Sequence, residues 1–138
     1  MQPNELYEKL LDFFSNTNDL MRHLHINACW KYVIVDNSIS ESEIARPKLS
    51  YYLYKKEEDN LKMTIDDPNI EPDLILYFTE QAVLQLIDGH PSAEEYYRRY
   101  REVMDNPKSG IEVDNKINKA RLKLWRLGYR NWQNDFNF

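Results

Sequence analysis

The segment from Asp73 to Gly89, DLILYFTEQAVLQLIDG, constrains this chain more than any other. Its first part places Leu74, Leu76 and Phe78 on one side of an extended backbone and Ile75 and Tyr77 on the other, the pattern of a strand covered on both faces. Its second part changes period. Thr79 is an N-cap candidate, Glu80 stands in the first turn, and Gly89 sits where a glycine ends a helix, which predicts a helix over about Glu80 to Asp88. A strand that reverses at once into an amphipathic helix needs a sheet beside it and a core beneath it.

The sequence supplies both. Asn4 caps a first helix carrying Leu6, Leu10, Phe13 and Phe14, and DLMRHLH reads as a second helical piece. WKYVIVD alternates with period two and predicts a strand. DNSISESEIARP reads as a loop. KLSYYLYK and LKMTID, joined by the turn KEEDN, predict a hairpin with Leu61, Met63 and Ile65 facing inward. Ser92 with Glu95 forms a capping box for AEEYYRRYREVM, which Asn106 and Pro107 stop. IEV is a short strand candidate. Asp114 or Asn115 then caps a helix over KINKARLKLWRL with Ile117, Ala120, Leu124 and Leu127 on one stripe, and Gly128 ends or kinks it.

This order of elements, with DLILYFTEQAVLQLIDG and the later GIEVDNKINKARLKLWRLG, resembles the sterol carrier protein 2-like lipid-binding domain over most of the chain. The resemblance implies one α+β domain over residues 1–138: a sheet of about five mostly antiparallel strands, helices packed on one face, and an apolar tunnel for a fatty acyl chain, sterol or similar lipid. It implies no metal, cofactor or covalent catalyst. The sequence departs from the family pattern in a basic helical insert at about 92–105 and an aromatic, basic tail at about 129–138, which could narrow, cover or plug the tunnel mouth.

On this reading the ligand-binding candidates are Leu76, Phe78, Val83, Ile87, Leu124 and Trp125. The same apolar periodicity equally describes side chains packed on one another in a filled core, and sequence alone does not separate the two.

Charge is unevenly distributed. The net charge is −5, but residues 1–95 carry 8 basic and 18 acidic side chains, whereas residues 96–138 carry 10 and 5. The tail interleaves Lys119, Lys123, Arg126 and Arg130 with Trp132, a pattern suited to transient contact with an anionic membrane surface. The acidity of the body argues against nucleic acid. A solvated basic face with its aromatic side packed on the sheet fits the same residues. An interaction module with a filled core, acting through this basic aromatic helix, is therefore the alternative function.

Catalytic signals are absent. No G-x-S-x-G, P-loop, G-x-G-x-x-G or HExxH motif occurs, and the adjacent Asp66 and Asp67 would point to opposite faces of a strand. His23, His25 and Cys29 fall near one another without the further ligands a four-coordinate site needs. The single cysteine, the lack of a signal-like start and the lack of a membrane-length apolar run lead to the expectation of a cytoplasmic, non-enzymatic protein.

Overall fold

In the computed structural model, which describes residues 1–138, a central strand β1 (Cys29–Val35) organises the molecule. It pairs antiparallel with β2 (Leu49–Glu57), which turns back as β3 (Asn60–Thr64). On its other side β1 pairs in parallel with β4 (Leu74–Thr79), and β5 (Val113–Ile117) closes the sheet antiparallel to β4. The order β3-β2-β1-β4-β5 is thus a five-stranded, mostly antiparallel sheet.

Five of the six α-helices lie on one face. Leu6, Leu10, Phe13 and Phe14 of α1 (Pro3–Ser15), Val83, Leu86 and Ile87 of α3 (Glu80–Ile87), and Tyr96, Tyr97 and Tyr100 of α4 (Ala93–Asp105) join Trp30, Tyr32, Ile34, Tyr51, Leu53 and Phe78 in one buried cluster. α5 (Arg121–Arg126) and α6 (Tyr129–Phe136) finish this layer. On the opposite face, Lys31, Tyr52, Tyr54, Ile75 and Tyr77 are only half-buried. The C-terminal half of β1 is shielded there, beside the short helix α2 (Glu41–Ala45), where Val33 and Val35 are buried. The expectation that the strand beginning at Asp73 is covered on both faces is corrected accordingly: Ile75 and Tyr77 belong to the open side.

The caps read from the sequence act as expected in the middle of the chain. The Thr79 hydroxyl accepts from the Ala82 N–H at 3.3 Å, and the Ser92 hydroxyl accepts from the Glu95 N–H at 3.2 Å. Elsewhere the structure differs. The first helix starts with Pro3 at its first position, so Gln2 is its cap rather than Asn4. The segment after it forms only a 3-10 turn over Asn18–Met21. The polar loop before Pro47 contains α2, capped by Ser40. Ile65 lies past the end of β3 and is 54% exposed.

The largest difference lies between residues 113 and 127. Asp114, Asn115, Lys116 and Ile117 extend β5 instead of beginning a helix, because β4 offers a free edge whose backbone groups need partners: Leu76 pairs with Asn115 and Leu74 with Ile117. The helix is reduced to Arg121–Arg126, and the chain then turns at Gly128 into α6. Gly128 has φ +95°, and a Cβ there would lie 2.0 Å from the His23 carbonyl oxygen, so only glycine fits this corner.

Candidate functional site

Between the β1–β4–β5 half of the sheet and helices α4, α5 and α6 lies a cavity of about 540 Å³, within the roughly 300–1,000 Å³ usual for small-molecule sites. Trp30, Tyr32, Leu74 and Leu76 form its sheet wall, Tyr96, Tyr97 and Tyr100 its α4 wall, and Tyr129, Trp132 and Phe138 its far end. Asn115, Ile117, Lys119, Arg121, Leu124, Trp125 and Arg130 border it on the β5–α5 side. Thirteen of the nineteen lining residues are hydrophobic.

Each wall follows from local sequence. Trp30, Tyr32, Leu74 and Leu76 stand at alternate positions of two strands in register, Trp30 opposite Leu74 and Tyr32 opposite Leu76, so they form a continuous surface. Tyr96 and Tyr100 are four residues apart on α4 and share a face. On α6, Tyr129, Trp132 and Phe136 recur at spacings of three and four, and all three are buried.

One end of the cavity is held by a buried polar knot. Asp73 has no exposed surface, and its carboxylate accepts three hydrogen bonds: from the Cys29 N–H at 3.0 Å, the Tyr129 hydroxyl at 2.5 Å and the Lys119 ammonium at 2.5 Å. The Trp30 indole N–H donates to the Tyr129 oxygen at 2.9 Å. A carboxylate can be buried when it is paired and its lone pairs are filled, and here the pairing ties α6 and the loop before α5 to the strands under them. Burial first and the Asp73 charge second raise the Tyr129 phenol well above its ordinary value. The same two effects push the Cys29 thiol up to about 12, which makes it a packing residue rather than a nucleophile.

Two other buried polar groups stand out. The Lys55 ammonium, on the helix side of β2, donates to the Met21 and Leu24 carbonyls at 3.3 and 2.8 Å. The Tyr32 hydroxyl, on a residue of the cavity wall, has no hydrogen-bond partner.

Of the six ligand-binding candidates, Leu76, Leu124 and Trp125 line the cavity. Phe78, Val83 and Ile87 do not border it. They are buried in the filled part of the core, where the Phe78 ring stacks on Tyr32 at 5.5 Å. The helix from Glu80 therefore supports the sheet instead of walling this cavity. The tail residues also divide. Lys123, Arg126 and Arg130 are exposed, but Lys119 is tied to Asp73. Trp132 is 7% exposed and donates its indole N–H to the Leu20 carbonyl at 3.0 Å, so its ring lies in the interior and cannot serve as a surface anchor.

Sequence reading missed Asp73 and Tyr129 as parts of this site. A carboxylate opening an otherwise apolar strand was the signal for the first, whereas the shared face of Tyr96 and Tyr100 follows from their spacing of four.

No helix is long and apolar enough to cross a membrane, and no group of three or more His, Cys, Asp or Glu side chains is arranged to hold a metal. No protein-family model and no curated protein sequence matches the chain. Among solved structures, the chain is similar to one described as "UbiJ-SCP2 Ubiquinone synthesis protein", with 8% sequence identity over 84% of this chain and 82% of that one, at a TM-score of 0.48.

Proposed function

We propose that the chain binds a lipid, such as a fatty acyl, sterol-like or other apolar molecule, in the cavity under α4, α5 and α6, and shields it from water without chemistry on it. The observation that carries this reading is the cavity itself: about 540 Å³, with mostly hydrophobic walls and Leu76, Leu124 and Trp125 among them. Binding would be driven by apolar burial at roughly 25 cal/mol per Å², and part of that gain is offset by the roughly 4 kcal/mol or more that association costs. Reversible loading suits a carrier. Leu124 and Trp125 sit on α5, a six-residue helix, so movement of α5 gives the ligand a way out.

The test is extraction of the purified protein under native conditions with mass spectrometry of the extract, together with displacement of a fluorescent fatty acid. The expected result is a co-purifying apolar compound and saturable displacement, weakened about tenfold or more by Leu124→Asn, which sets a polar amide in the apolar wall. No extracted lipid and no displacement would reject the reading. The alternative, an interaction module working through its basic C-terminal region, is supported by the exposed cations of α5 and α6. It is favoured if removal of that region abolishes binding to a partner while the intact chain takes up no fatty acid.

A further inference from the structure

Residues 115–134 contain six cationic side chains and no carboxylate, in a chain whose net charge is −5. Lys119 is neutralised by Asp73, but Lys116, Arg121, Lys123, Arg126 and Arg130 enter none of the ion pairs of the molecule. All five are exposed. A concentration of like charge on one short stretch costs self-repulsion, and no carboxylate lies within ion-pair distance of these five.

Among these cations lie three of the large hydrophobic side chains that the fold leaves outside: Ile117 at 64% exposure, Leu122 at 63% and Trp125 at 43%. Leu122 and Trp125 are three residues apart on α5 and share a face. The Trp125 ring has the Arg121 guanidinium 5.5 Å and the Arg130 guanidinium 5.3 Å from its centroid. Ile117, Arg121, Trp125 and Arg130 all border the cavity.

From this arrangement we infer that the α5 face, with Ile117, Leu122 and Trp125 entering the interface and Lys123 and Arg126 over the headgroups, docks on an anionic lipid bilayer and sets the cavity mouth against it. Aliphatic side chains gain by leaving water for the acyl boundary, tryptophan favours the headgroup level, and each nearby cation strengthens attraction to anionic lipid about fivefold. A nucleic-acid strand would satisfy the cations but offers nothing to Ile117 and Leu122. The exposed ring among these cations, Trp125, already has two arginines against it rather than a free face for a base. The inference rests on the carrier reading only for the purpose of docking, which is exchange of ligand with the bilayer.

The experiment is co-sedimentation of the whole chain with vesicles of phosphatidylcholine alone or with about 30% phosphatidylserine, at low salt and at about 0.5 M salt. The expected result is binding to the anionic vesicles only, lost at high salt. Trp30 and Trp132 are buried, so a blue shift of emission on binding reports Trp125 and disappears in Trp125→Phe. The double variant Lys123→Ala/Arg126→Ala, whose residues do not line the cavity, should bind about 30-fold more weakly. A far-ultraviolet spectrum unchanged from the parent chain shows that it is folded. Equal binding to both vesicles, no binding to either, or an unaffected double variant overturns the inference. Binding of a single-stranded oligonucleotide through the same two cations, without vesicle binding, also overturns it in favour of nucleic acid. Fatty acid uptake without vesicles separates the two ideas: uptake with no docking removes only the membrane face, and docking with no uptake removes only the carrier.

Discussion

Asp73 is the one carboxylate side chain buried in the molecule, and three hydrogen bonds fill it. Its carboxylate would be untenable in the core without the Lys119 ammonium, the Tyr129 hydroxyl and the Cys29 amide around it. Removing it strands those partners. Asp73→Ala should destabilise the fold by about 3 kcal/mol, the lower end of the range for breaking a buried pair, because Lys119 keeps some contact with solvent. Urea unfolding monitored by circular dichroism measures this, and a loss below about 1 kcal/mol would mean that the knot is not structural. Little of this was legible beforehand. An aspartate before a strand is usually a turn residue, and its partners lie 44, 46 and 56 positions away in sequence.

At the scale of elements, α6 is held by apolar side chains facing inward and a charged seam facing outward. Asp135 accepts from Arg22 Nε at 2.6 Å and lies 2.8 Å from His23 Nε2, while a second Arg22 nitrogen meets Glu94 at 2.7 Å. Arg22 also lies over the Phe136 ring at 4.4 Å. The Arg22 hydrogen bond, and then that of His23, hold the Asp135 carboxyl below the usual carboxylate value. A depressed value in the fold means that the seam contributes fully above the ordinary carboxylate pKa near 4 and is lost as pH falls through the lower folded value. Amide hydrogen exchange of α6 should therefore accelerate in that acid window ahead of β1, and Asp135→Asn should flatten the pH dependence. Identical exchange of α6 and β1 throughout would contradict a separately held element. Elements with their own capping and periodicity, such as α3 and α4, were readable from sequence because the signals are local. β5 was legible only at its start, where the strand candidate IEV reaches Val113: the other residues are exposed, so no alternation marks them, and only the unpaired edge of β4 makes them a strand.

Across the whole molecule, tyrosine is the commonest of the buried aromatic residues. Six of the ten tyrosines, Tyr32, Tyr51, Tyr96, Tyr97, Tyr100 and Tyr129, are buried, and desolvation raises all six phenols above their ordinary value. A raised value means that the fold holds the neutral form, so this stability is complete below about pH 10 and is lost as pH rises through the folded values. Absorbance at high pH should show these six ionising together with loss of the far-ultraviolet spectrum, whereas gradual ionisation in an intact fold would refute the account. The sheet with helices on one face could be read from the sequence because apolar spacing dictates layers. Whether space remains between them could not, since Leu76 beside a void and Phe78 in a filled core have the same pattern in the chain. The parallel pairing of β1 with β4 has a kinetic consequence. The hairpin β2–β3 can zip up locally, but the middle of the sheet joins only after a long loop has closed, as with Cys29 and Asp73. The half of the molecule that encloses the cavity is built on that late-joining seam.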